Sequence, residues 1–227
     1  SDTGRYIETR TTLAMEIPES WQRVFTLAER LDYPLTAEDG CPERDFEELE
    51  TLLPPLVQLW YQYVGRCKRL YHHGSQLHLT PLNQLEIASF ADDAEEEDLS
   101  GEPEDYPRRL TIYEENQYVF SWVILESDMT LSDPPVYIED VDQTLSEEQI
   151  LIPSTPRFSD FAAQALAFEL IFQSDSDYDL ERPTRSFSEI APSLTAVSTE
   201  PLVYAYPNKM EFWYSDDILI ATENGEW

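Results

Sequence analysis

Phe158, Phe161, Ala165, Phe168 and Phe172 recur at spacings of three, four, three and four. That repeat marks one face of an α-helix, and the phenylalanines on it need a large apolar surface to cover them. Thr155 and Pro156 just before it form a start signal, since proline suits the first helical turn, where its missing N–H would have had no partner. A chain containing this segment has to fold around it, and the rest of the sequence must provide the cover.

Part of that cover is helical. Trp21, Val24, Phe25, Ala28 and Leu31 fall on one stripe, which predicts a helix beginning near Pro18 and Ser20. After the turn-like LTAEDGCPE, a second short helix is expected around Phe46 to Leu53. Pro54 and Pro55 then open a third, with Leu56, Leu59, Trp60, Tyr63 and Val64 on one face and Gly65 ending it.

The remainder is strand-like. LHLTPLNQLE, residues 77 to 86, predicts a short strand leading into a turn. LTIYE and YVFSWVIL flank EENQ as a β-hairpin. In its second strand Tyr118, Phe120, Trp122 and Ile124 share one face and Val119, Ser121, Val123 and Leu125 the other, so both faces are expected to be largely covered. Asp133, Pro134 and Pro135 turn into a strand over Val136 to Ile138, the prolines confined to its start. A Ser- and Asp-rich polar connection, 173–199, holds one short helix near Phe187. LVYAY, MEFWY and ILIAT, separated by PN and SDD, predict an antiparallel meander. Helices first, strands in runs and one long helix between them give an α+β fold, an antiparallel sheet with helices packed against it. The chain has no internal repeat, and its 227 residues fit a single domain, 1–227.

Charge narrows the function. The chain has 46 acidic side chains against 14 basic ones, a net charge of −32. Affinity for nucleic acid comes chiefly from Lys and Arg displacing counterions, so nucleic acid is not expected as a direct partner, and an anionic membrane is excluded on the same ground. An apolar fraction of 41% with 12% aromatics is too high for a disordered acidic tail. The imbalance peaks in an insertion at 92–107, DDAEEEDLSGEPEDYP, with carboxylates at Asp92, Asp93, Glu95, Glu96, Glu97, Asp98, Glu102, Glu104 and Asp105 and no basic residue. Like charges this dense repel one another, so an exposed mobile loop is expected, serving either to attract a partner or only to keep the chain solvated.

No stretch approaches the ~18 consecutive apolar residues of a membrane span, and the opening SDTGRYIETR lacks the charged-then-apolar pattern of a secretory signal. Cys41 and Cys67 are too few for a disulfide framework in a chain of this length. A reducing, cytoplasmic location is therefore expected.

Catalytic and cofactor motifs are missing. The glycines at 4, 40, 65, 74, 101 and 225 are isolated, so neither a P-loop nor a dinucleotide fingerprint is present, and G-x-S-x-G does not occur. Asp175, Asp177 and Asp179 alternate like a calcium loop, but Leu180 and Ser186 stand where the glycine and the bidentate Glu belong. His72, His73 and His78 with Cys67 lack the spacing of a zinc site. With 46 acids, carboxylate pairs must occur somewhere and carry no signal by themselves. No catalytic residue, metal or cofactor is expected. Trp60 and Trp122 sit at core positions, whereas Tyr204, Tyr206, Trp213 and Tyr214 put rings on both faces of the terminal meander. One of those faces is expected to be open as a binding patch.

Several short motifs follow one another in order: Leu53-Pro54-Pro55-Leu56 with Trp60, Tyr61 and Tyr63; LHLTPLNQLE; Glu115-Asn116-Gln117 before Trp122; Asp133-Pro134-Pro135-Val136-Tyr137; and Phe158-Ser159-Asp160-Phe161. This succession, over roughly residues 45 to 222, resembles the SUKH superfamily, which includes Smi/Knr-like cell-wall assembly regulators of fungi and bacterial immunity proteins. The resemblance implies an α+β fold of antiparallel sheet and packed helices. It also implies a non-catalytic role: neutralising toxins, often nucleases, by binding them, or serving as an interaction hub. The chain departs from the superfamily's pattern at Gly65-Arg66-Cys67, where an Asn-Gly-rich turn is common, and in the acidic insertion after Ala91.

These readings lead to a protein-binding module for a partner with a basic surface, such as a toxin domain. The carboxylates of Asp92 to Asp105 would attract the partner, and Tyr204, Tyr206, Trp213 and Tyr214 would anchor it. A regulatory or scaffolding module without a toxin partner is the alternative, and an enzyme using two carboxylates across a cleft is a third.

Overall fold

The structure, a computed structural model, describes residues 16–71, 77–89, 107–139, 151–172, 187–205, 208–215 and 219–224. Among them, helices α1 (Glu19–Arg30), α2 (Glu43–Phe46), α3 (Pro55–Val64) and α4 (Lys68–Tyr71) come first. Strands β1 (Leu77–Leu79), β2 (Ile87–Ser89), β3 (Arg108–Glu115), β4 (Ser121–Leu125), β5 (Val136–Glu139) and β6 (Leu151–Thr155) follow. The long helix α5 (Phe158–Phe172) and the short α6 (Phe187–Ile190) precede β7 (Thr195–Ala196), β8 (Leu202–Ala205), β9 (Asn208–Tyr214) and β10 (Leu219–Glu223). The class is α+β, as the order of the sequence patterns predicts.

Among the described residues every strand pairing is antiparallel, in two sheets. The first runs β1-β3-β4-β5-β6, and β2 also pairs with β3. β1 lies opposite Tyr113, Glu114 and Glu115, and β2 opposite Arg108, Arg109 and Leu110, so the two short strands share one side of β3. In the second sheet β10 pairs with β9, whose other side takes both β7 and β8. The terminal meander is therefore present, with β7 added from the polar connection.

The register of β3 against β4 shifts between Thr111 and Tyr113. One extra residue in a strand turns two consecutive side chains to the same face. Ile112 and Tyr113 are both fully buried in the core as a result. From there aromatic rings run through the interior. Trp60 of α3 donates its indole N–H to the Tyr113 hydroxyl at 3.0 Å. Trp60 also packs on Trp21 of α1 at 4.8 Å, and Tyr113 and Trp122 pack on Phe161 of α5 at 5.2 and 5.8 Å.

α5 reaches the second sheet through Phe168, whose ring lies 6.1 Å from that of Phe212 on β9. It is buried on all sides, every residue from Phe158 to Leu170 being buried, rather than on the single stripe its phenylalanines predict. Its polar residues are accordingly placed on partners. The Glu169 carboxylate accepts from the Leu77 N–H at 2.6 Å, Gln164 donates to the Asp160 carbonyl, and Asp160 takes bonds from Ser198 and Arg157. The free N–H groups of its first turn are met from a distance. Asp133 accepts from the Ser159 N–H at 2.8 Å and from the Ser159 hydroxyl at 2.6 Å, and the Pro134 carbonyl accepts from the Phe158 N–H.

Other local expectations need correction. The helix expected at Phe46 to Leu53 is the single turn α2, which ends at Phe46. The second hairpin strand begins at Ser121 rather than Tyr118, because Tyr118 adopts φ 59° in the turn. Gly65 does follow α3, but at φ −61°, an ordinary helical value, so its role is not that of a left-handed cap.

Candidate protein interface

An open groove of about 1530 Å³ runs between residues 43–51 and residues 80–88, with Arg108, Arg109, Thr111 and Glu114 of β3 as its third wall. Local bonding sets both lips. The Cys41 N–H donates to the Tyr61 carbonyl and the Arg66 N–H to the Asp39 carbonyl, which fastens the chain ahead of α2 to the end of α3. On the other side the Tyr61 hydroxyl donates to the Thr80 carbonyl at 2.7 Å, and a 3₁₀ turn over Leu82–Gln84 carries the chain from β1 to β2. Leu82 and Leu85 are buried beneath the groove, while Leu49 and Ile87 are half-buried on its surface.

The groove gathers cations and anions, and their pairing decides its field. Arg66 is bound to Asp45 at 2.5 Å, Arg108 to Glu126 at 3.3 Å and the buried Arg109 to the buried Glu139 at 2.7 Å, so each guanidinium is matched by a carboxylate. Glu48, Glu50 and Glu86 line the groove, are exposed, and form no ion pair among the described residues. Lys68 is the remaining basic side chain on its wall. The net field is negative. Thr80 adds an unsatisfied group: the residue is 8% exposed, and its hydroxyl is buried without a hydrogen-bond partner.

Where β3 faces β1, Glu114 lies directly across from His78. Burial raises the Glu114 carboxyl above its usual pKa, and the neighbouring His78 partly offsets the rise. The Tyr118 ring meets His78 edge-on at 6.1 Å. Tyr113 is pushed far above the usual phenol value by complete burial, so it is a neutral core hydroxyl. Among the described residues no group of three metal-ligating side chains comes together, and no helix is long and apolar enough to cross a membrane.

The anchoring and attracting residues expected from sequence are placed as follows. Asp92, Asp93, Glu95, Glu96, Glu97, Asp98, Glu102, Glu104, Asp105 and Tyr206 lie outside the described residues, as do His72, His73 and Asp175 to Asp179. Ala88 and Arg108, a few residues before and after the acidic stretch, line the groove. Tyr204 is a residue of β8. Trp213 and Tyr214 of β9 are half-buried: the Phe187 ring of α6 covers Trp213 at 5.4 Å, and Tyr214 packs on the core. The groove residues Glu48, Glu50, Glu86 and Thr80 carry no local sequence signal, because only folding brings the two segments face to face. Compared with family models, with curated proteins and with solved structures, the chain matches none.

Proposed function

We propose that this protein is a non-catalytic binding module for a protein with a basic surface, of the immunity type that neutralises a nuclease-like toxin by covering its phosphate-gripping face. The observation that carries the reading is the net charge of −32 on a folded body with a groove whose arginines are paired and whose Glu48, Glu50 and Glu86 form no ion pair among the described residues. A nuclease must be basic where it holds phosphate, and a strongly anionic inhibitor is drawn to such a face by long-range attraction that raises the encounter rate. The SUKH resemblance of the ordered motifs supports the same reading.

The test measures association of the purified protein with a basic toxin domain encoded beside its gene, at low and at high salt, together with that domain's nuclease activity. The expected result is an association rate falling at least about tenfold between the two salt conditions, and loss of nuclease activity at equimolar protein. A salt-independent rate removes the electrostatic reading. Binding that leaves the nuclease active points instead to the regulatory or scaffolding role.

A further inference from the structure

We infer that the groove between residues 43–51 and 80–88 is the seat of an extended cationic segment of the partner. The inference rests on the reading of the protein as a module for a basic partner and names the face that does the binding.

Three independent features of the groove favour that occupant. Its exposed, unpaired carboxylates among the described residues are Glu48, Glu50 and Glu86, on both lips, against one unpaired cation, Lys68, while the arginines beside them are held by carboxylates. Lys or Arg side chains of a bound segment would find acceptors on either side, whereas a second copy of this chain would be repelled. Thr80 lines the groove, and its hydroxyl is buried without a hydrogen-bond partner. An unmet polar group is stabilised by a partner that supplies a hydrogen bond, and an extended chain offers main-chain groups that a helix has already used internally. The groove, at about 1530 Å³ and open along its length, exceeds the roughly 300–1,000 Å³ of small-molecule pockets.

Apolar contacts would complete the seat. Leu49 and Ile87 are half-buried within it. Leu52, next to the lining residue Thr51, is 87% exposed, the highest value among the large hydrophobic residues described. A segment alternating basic and apolar residues would place its charges at the lips and its apolar side chains on Leu49, Leu52 and Ile87.

The test uses the full chain and a fluorescent peptide of alternating Lys and Leu, with binding read by anisotropy. The triple variant Glu48→Lys, Glu50→Lys, Glu86→Lys is compared with a control triple, Glu16→Lys, Glu200→Lys, Glu223→Lys, of identical net charge and at exposed sites away from the groove. The groove triple should weaken binding at least about tenfold more than the control. Leu52→Ser and Thr80→Val should each weaken it severalfold, with circular dichroism melts confirming that every variant folds. Equal losses in the two triples would overturn the proposal, since binding would then follow net charge alone. A basic toxin domain is titrated in parallel. Salt-sensitive binding of that domain that is indifferent to the groove triple removes the groove and leaves the general reading standing. If neither peptide nor domain binds, both fall.

Discussion

A Cβ built on Gly65 would lie 2.5 Å from the Tyr61 carbonyl oxygen and 2.6 Å from the Cys41 sulfur. With φ at −61° the backbone is open to any residue, so space alone demands glycine here. Gly65→Ala should cost about 1–3 kcal/mol, the usual range for overpacking, read from urea unfolding. Glu114 makes a second prediction at this scale. Burial raises its pKa in the fold, so its neutral form is the one the fold prefers. Its favourable share of stability is complete below the unfolded-state pKa and is lost as pH rises through the folded value. Glu114→Gln should therefore be more stable than the parent at neutral pH, by of order 0.5 kcal/mol at this half-exposed site, and the gap should close on acidification. Melting both proteins across the acid range checks the sign. A gap that widens on acidification would contradict it.

Among the elements, α5 depends most on a residue far from it in sequence. Asp133 lies 26 positions before Ser159 yet accepts from both its N–H and its hydroxyl. Asp133→Ala should cost about 1–2 kcal/mol through loss of this cap, and Asp133→Asn, which keeps an acceptor, should recover part of it in the same denaturant titration. Existence and type were legible for α1, α3, α5, the β3–β4 hairpin and the terminal meander, because their apolar spacings differ so clearly. What escaped came from contacts remote in sequence. No local rule places Asp133 at the start of α5, and Gln164 and Glu169 would ordinarily mark a solvent face rather than a buried one. The hairpin turn is longer than its pattern suggests because Tyr118 adopts a left-handed angle, which aromatic side chains seldom do. At α2 a single turn, Glu43–Phe46, stands where a longer helix was expected.

At the scale of the whole molecule, a charge of −32 must press outward on the fold. Monovalent salt screens that repulsion, so the Tm should rise on going from about 0.01 to about 0.15 M salt, where the Debye length falls from roughly 30 to roughly 8 Å. Calorimetry at two ionic strengths decides it, and a flat or falling Tm would show that matched ion pairs such as Arg109–Glu139 outweigh the excess. The candidate site was the least legible part of the molecule. The acid excess is plain in composition, but with so many carboxylates no single one stands out. Glu48 and Glu86 share a groove only because α2 meets the turn between β1 and β2. Finally, α5 is buried on every side from Phe158 to Leu170 and touches both sheets. Its central amides can then meet solvent only when the entire molecule opens. In heavy water they should be the last to exchange, keeping time with global unfolding, and a chain cut short before β9 should lose that protection first in the half of α5 holding Phe168.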